Sequence, residues 1–391
     1  MKAPSTEPGR ECPGPLTSAL PDDIRPTVAV IDMGALEHNY REVVRRAGGR
    51  KILAVVKAQA YGHGAVPISR QLMRCGADML GVALVEEGRE LRTAGIDAPI
   101  LLMGSLFPEQ AEAAVALGLT PVVYTISAAR ALSDAARKLK TAVSVHVKID
   151  TGMGRIGLAP ADAPAFITEL RRLAGIDVQG LMTHFADADL REKQFAAKQM
   201  ELFELLVRDL VAARLDVPLR HAANSAAVLD FDRALFTMVR PGLMLYGYNP
   251  LERDQDEGGL RPVLSLVTRI AYIKKVAAGV PISYGRTFET KRESLIATLP
   301  IGYADGYSRG LSNRGEVIVR GRRIPVVGRV CMDMTMIDVT DVAGVCEGDE
   351  VMLIGSQGSE RITASDIAVK TGTIPYEVLC GISSRVPRIY Q

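Results

Sequence analysis

Along the first two thirds of the chain, short runs of β-branched and aliphatic residues recur, each followed by a stretch with the apolar period of a helix. Runs at 27–31, 52–56, 79–83, 100–103, 121–124, 143–149 and 178–183, with a last group over 219–222 and 238–245, read as strands. Strand and helix in regular alternation are the mark of parallel βα units. The rhythm never pauses for a long break, so a closed (β/α)8 barrel suits it better than an open doubly wound sheet. After Asn249 the texture changes. Residues 252–259 are polar and turn-forming, and beyond them short apolar runs at 316–319, 324–327 and 351–354 alternate with glycine-containing turns, without a long amphipathic helix. The chain therefore reads as α/β: a flexible extension over 1–25, a TIM-like barrel over 26–255 and a mostly β domain over 256–391.

Composition narrows the partners. Nearly half of the 391 residues are hydrophobic, enough for a sizeable core, and the net charge of +2 arises from interspersed cations and anions. Such a balance gives no electrostatic footprint for nucleic acid and no adhesive membrane face, which leaves a small molecule as the default partner. The five cysteines are scattered, without a close pair at metal-ligand spacing, so no metal site is expected and a reducing compartment is. The first 25 residues contain no apolar run long enough for a signal peptide or a membrane span. A cytoplasmic setting follows as an expectation.

Four stretches carry chemistry. The first, Lys57-Ala58-Gln59-Ala60-Tyr61-Gly62, follows an apolar strand. A lysine at the C-terminal end of a barrel strand stands on the catalytic face, and a partly desolvated amine has a lowered pKa suited to condensing with a carbonyl. A lone lysine there more often snorkels to water; Tyr61, with a phenol to offer a phosphate, shifts the balance. The second, Lys148-Ile149-Asp150-Thr151-Gly152-Met153-Gly154-Arg155, places two cations and two glycines after a buried strand. It reads either as an anion site, with Arg155 able to grip a carboxylate by two parallel bonds, or as a glycine-rich turn with surface charges. The third is spread over His184, His221, Asn224, Ser225, Arg240, Gly242 and Leu243. Barrels commonly bind phosphate with the loops after their last two strands, and Ser225, Gly242 and Leu243 are the candidate donors beside Tyr61. Single barrel histidines are more often satisfied core residues, the reading kept for His146. The fourth, Ser283-Tyr284-Gly285-Arg286, holds a tyrosine that is a poor base at neutral pH unless neighbours stabilise its phenolate.

Taken in this order, the motifs resemble the alanine racemase family, over about residues 25–390. The resemblance implies that Lys57 carries pyridoxal 5'-phosphate, that His184, His221 and Asn224 line its site, and that Arg240 faces the pyridine nitrogen. It implies that Tyr284 reaches the active site of the other subunit, making the catalytic unit a homodimer with shared active sites. Arg155, Met332 and Asp333 would then contact the substrate region, and Tyr303 would gate the entrance. In some members the lysine matching Lys148 is carbamylated. The implied reaction is two-base interconversion of L-alanine and D-alanine, supplying D-alanine for peptidoglycan.

Two positions depart from the pattern: Gln59 stands where the family usually has Asn, and Ser384 stands where some members have a pocket-lining tyrosine. The smaller Ser384 leaves a serine or broader-specificity racemase open. A decarboxylase or aldolase with the same cofactor is disfavoured by Arg240, which does not readily give a proton to the ring. A single-domain cofactor carrier would lack Tyr284 altogether.

Overall fold

The computed structural model describes residues 25–251 and 259–391. Most of the extension expected over 1–25, and the boundary expected near 255, lie outside those residues. The chain divides into two compact units, one running from Asp32 to Val263 and the other joining Leu264–Tyr390 to the residues up to Ile31.

The first unit is the barrel. After strand β1, Val28–Ile31, come β2 Lys51–Val55, β3 Met79–Val82, β4 Ile100–Leu102, β5 Thr120–Val123, β6 Val143–Lys148, β7 Ile176–Met182, β8 Leu219–His221 and β9 Met238–Val239. β2 to β9 form one eight-stranded parallel sheet in the order β8-β7-β6-β5-β4-β3-β2-β9. The sheet curls until its two edge strands meet. There the Thr237 N–H donates to the Arg220 carbonyl at 3.1 Å and the Arg240 N–H to the Ala223 carbonyl at 2.9 Å, which brings the barrel close to closure. Strands buried on both faces need continuous apolar runs, and β3, β4 and β5 are buried at every position.

The sequence-based strand at 27–31 does not belong to the barrel. As β1 it pairs antiparallel with β10, Leu264–Arg269, and parallel with Arg388–Tyr390 in the sheet of the second unit. All four of its residues are buried, which an apolar run achieves equally well in either sheet. The run at 238–245 is also shorter as a strand than expected: β9 has two residues, and Leu243–Tyr246 is a 3-10 turn. Pro241 has no N–H to continue the ladder, so the strand stops before it.

In the second unit, β1, β10 and Arg388–Tyr390 share a sheet with Glu316–Val319, Arg322–Pro325, Glu350–Gln357 and Glu360–Ile362. A separate three-stranded sheet holds Tyr272–Val276, Ser294–Leu299 and Thr335–Asp338. No helix among the described residues is long and apolar enough to cross a membrane.

Candidate active site

Lys57 stands two residues past the end of β2 and is half-buried. The turn it opens is left-handed: Ala58, Gln59 and Ala60 have φ/ψ near +50°/+50°, and Tyr61 has φ of 55°. None of the four is glycine, so the conformation costs about 1–2 kcal/mol at each. Bonds within the turn offset part of this, from Ala60 N–H to the Val56 carbonyl at 2.8 Å and from Gly62 N–H to the Ala58 carbonyl at 3.0 Å. Tyr61 is buried against Tyr246, ring centroids 4.8 Å apart, and the Tyr246 hydroxyl donates to the Val55 carbonyl at 2.8 Å.

Gly242 lies beside the Tyr61 hydroxyl so closely that a Cβ there would stand 2.5 Å from it. A side chain at 242 would displace the phenol. Ser225, at the start of Ser225–Asp230, accepts from the Gly242 N–H at 2.9 Å and the Met244 N–H at 3.3 Å, tying the loop after β9 to the loop after β8. The Gly242 donor is thus already engaged, whereas the Leu243 N–H makes no hydrogen bond among the described residues. The Asn224 side chain caps the Ser225–Asp230 helix by accepting from the Ala227 N–H at 3.0 Å. That is a supporting contact of the loop.

Arg240 is fully enclosed. Its guanidinium donates to the carbonyls of Thr183 at 2.8 Å and Ala222 at 3.0 Å, to Nδ1 of His221 at 3.0 Å and to Nδ1 of His184 at 3.2 Å. Burial pulls it down to about 9, which leaves it charged at neutral pH. No carboxylate pairs with it among the described residues. Because Arg240 donates to both Nδ1 atoms, each imidazole, if neutral, carries its proton on Nε2. Both are neutral: burial first, then the Arg240 charge, holds His184 and His221 well below their ordinary range. His146, read from the sequence as a satisfied core residue, accepts the His221 Nε2–H at 2.8 Å, and its own Nε2 has no partner among the described residues.

The loop after β6 gathers the remaining cations. Lys148 is buried and pulled down to about 7, by burial first and then by Arg240 and Arg155, with Asp150 opposing. Asp150 shapes the loop by accepting the backbone N–H groups of Gly152 and Gly154 at 2.9–3.1 Å. Arg155 is exposed. The barrel thus brings together Lys57, Tyr61, Lys148, His184, His221, Ser225, Arg240, Gly242 and Leu243 at strand ends and in the loops that follow them. A rigid cation without a carboxylate among the described residues, a buried amine and a loop with an unengaged N–H make a donor set for an anionic ligand such as a phosphate.

The second unit clusters its own candidates. Tyr284 sits in the turn Tyr284–Arg286 and is 72% exposed. Ser283 anchors that turn by donating to the Arg329 carbonyl at 2.7 Å and meeting Cys331 Sγ at 3.5 Å. The Tyr303–Asp305 turn is bound to the same segment, from Tyr303 N–H to the Cys331 carbonyl and from Ala304 N–H to the Met332 carbonyl, both at 3.0 Å. Asp333 is held by Arg385 at 2.7 Å. Tyr284, Tyr303, Met332 and Asp333 therefore stand on segments bonded to one another, all four exposed. Ser384, next to Arg385, is also exposed. Cys331, between them, meets the Ser283 hydroxyl and the Arg329 carbonyl and has no basic partner among the described residues, in keeping with a packing role.

Fold and site define a class of protein with a nearly closed parallel barrel, a lysine just past one strand end and a mostly β second unit. Residues 31–250 match the alanine racemase N-terminal domain and residues 263–390 the alanine racemase C-terminal domain. The chain is 49% identical to an alanine racemase of Halothermothrix orenii, over 94% of this chain and 97% of that one. It is 46% identical to an alanine racemase of Geobacter sulfurreducens, over 94% and 98%. Among solved structures, the alanine racemase of Clostridium difficile 630 superposes with a TM-score of 0.89 at 39% identity, over 94% of this chain and 96% of that one. This chain belongs to the alanine racemase family.

Proposed function

We propose that this protein interconverts L-alanine and D-alanine with pyridoxal 5'-phosphate held on Lys57. The observation that carries the reading is the carboxylate-free enclosure of Arg240, on the same barrel face as the strand-end Lys57. When bound, pyridoxal phosphate supplies an electron-withdrawing ring that acidifies the Cα proton of an attached amino acid. Tyr61, Ser225 and the Leu243 N–H would hold its phosphate, and His221 and His184 fix the guanidinium of Arg240 beside its ring. Arg240, charged at neutral pH, would donate a hydrogen bond to the ring nitrogen without giving up its proton. That choice favours return of a proton to Cα over reactions needing a stronger electron sink.

Racemisation removes a proton from one face of Cα and returns it to the other, which calls for two groups. The Lys57 amine takes one face. Tyr284 takes the other, donated by a second copy of the chain, and its high exposure together with that of Tyr303 and Met332 supports a role outside its own unit. His184, neutral and with its proton on Nε2, is a hydrogen-bond donor suited to the Tyr284 phenolate. Arg155, Met332 and Asp333 receive the substrate carboxylate region, Tyr303 guards the entry, and Lys148 is poised for carbamylation. The barrel unit, Asp32–Val263, would thus bind the cofactor, and the β unit would complete the neighbour's site. The family relation extends the proposal to a cytoplasmic supply of D-alanine for peptidoglycan.

The test is solvent-deuterium incorporation into Cα of L-alanine by purified protein with pyridoxal phosphate, beside L-serine. Exchange with racemisation of alanine, lost in Lys57→Ala and Tyr284→Phe, is expected; exchange that survives both variants removes the two-base assignment. Serine keeping pace with alanine would move the reading to a broader-specificity racemase.

A further inference from the structure

The left-handed turn after Lys57 poses a physical question: four consecutive non-glycine residues occupy a region they ordinarily avoid, and something outside the turn must hold them there. The contact that answers it comes from the neighbouring helix, Val85–Thr93, which follows β3. Glu87 Oε1 accepts the N–H of Ala58, the residue after the lysine, at 2.6 Å. Its other oxygen accepts the N–H groups of Ala83 at 2.7 Å and Leu84 at 3.1 Å. One turn further along the same helix, Glu90 accepts from the Gln59 side-chain amide at 2.6 Å, and the Gln59 side-chain oxygen Oε1 accepts the Ala65 N–H at 3.3 Å.

We propose that the Glu87 carboxylate is a positioning residue that clamps the Lys57 turn in its left-handed form and so aims the lysine amine at the cofactor. The first N–H groups of any helical turn lack backbone acceptors, and Ala58 is at that place here. An ionised carboxylate is a stronger acceptor than water for such a group, and its second oxygen is fixed by two N–H groups of the next loop. The Ala58 backbone is therefore tied to the end of β3, and the side chain of Lys57, one residue before it, inherits that anchor. Gln59, placed where the family usually has Asn, strengthens the tie by spanning to Glu90. The clamp rests on the reading that Lys57 carries pyridoxal phosphate.

Glu87 also caps its own helix through Leu84, so a purely structural role has to be separated from a positioning one. The full chain is compared as wild type, Glu87→Ala and Glu87→Gln, with exposed Glu86→Ala as control. Two quantities are measured: hydrogen exchange of the Ala58 to Tyr61 amides in the cofactor-free protein, and binding of pyridoxal phosphate followed by the visible band of its lysine-attached form. Loss of charge-assisted acceptors is expected to speed Ala58 exchange about tenfold or more and to weaken cofactor binding roughly 10- to 100-fold in Glu87→Ala. Glu87→Gln, whose single oxygen serves only one side of the clamp, should lie between, and it carries the comparison should Glu87→Ala fail to fold. Wild-type exchange at Ala58 and wild-type affinity, with only the Val85–Thr93 helix loosened, would overturn the proposal and leave Glu87 as a helix cap. If the wild-type protein attaches no pyridoxal phosphate at Lys57, the functional reading fails; the Ala58 exchange rates then still decide whether the clamp exists.

Discussion

His221 Nε2 lies 2.8 Å from His146 Nδ1, and neither side chain reaches solvent. The pair extends the Arg240 network by one member, since Arg240 fixes the His221 tautomer and the His221 proton then points at His146. His146→Phe keeps a ring of similar breadth and removes the acceptor, leaving a buried N–H unsatisfied. The expected loss is about 1–3 kcal/mol of unfolding free energy, read from urea denaturation. An unchanged midpoint would show that His221 does not depend on this acceptor.

Acid should unfold the barrel through the same groups. His146 is held down at about 3, mainly by burial, and His184 and His221 lie well below the ordinary 6.5. Between 6.5 and about 3 the unfolded chain therefore binds protons that the folded chain refuses. Stability falls as pH drops through that window, by up to about 1.4 kcal/mol per pH unit from His146, with His184 and His221 acting in the same direction. Urea midpoints at a series of pH values from 7 to 4 check the slope, and His146→Phe should make it shallower.

Lys148 titrates near neutrality, at about 7 against an ordinary 10.5. Carbamate formation needs the neutral amine, so uptake of carbon dioxide should increase as pH rises through 7. Carbon-13 NMR with labelled bicarbonate should show one carbamate signal in the wild type and none in Lys148→Gln. Equal labelling at pH 6 and pH 8 would contradict the assignment. A modified Lys148 would exchange a repelling cation for an anion facing Arg155 and Arg240, and lowered activity in bicarbonate-depleted buffer is the expected companion result.

Gly242→Ala tests the phosphate end. The new methyl would meet the Tyr61 hydroxyl at 2.5 Å, a conflict of space. Displacing the phenol should weaken pyridoxal phosphate binding by about tenfold or more, on the order of one charge-assisted hydrogen bond. Fluorescence titration with the cofactor measures it, and Gly242→Ala combined with Tyr61→Phe should add little to either change alone.

The alternation of strand and helix announced the barrel because a parallel sheet leaves its own period in the chain. The places of Lys57 and Ser225 at strand ends follow from that period, whereas Arg240 is singled out by the resemblance to the family. What remained hidden depended on contacts between distant segments. A buried apolar run such as Val28–Ile31 states that it is a strand and is silent about its neighbours. His146 looks like any core histidine until the barrel curls β6 towards the end of β8. Glu87 sits in a run of charged residues on a helix, where nothing in the spacing distinguishes an exposed acid from one that reaches back to the Ala58 amide. The docking of Ser283 onto Arg329 and Cys331 is likewise a product of the fold, although Tyr284 and Met332 were each identifiable by motif.

The placement of β1 also bears on how the protein is made. Val28–Ile31 leaves the ribosome before the barrel, as an apolar strand with both edges open, while its partners Leu264–Arg269 and Arg388–Tyr390 are still unwritten. The whole barrel is synthesised in the interval, so it can collapse as an independent nucleus while the strand waits. An unpaired edge of that kind invites association with other nascent chains. Completion of the second unit thus waits until Arg388–Tyr390 has followed the whole barrel out of the ribosome and can dock beside Val28–Ile31.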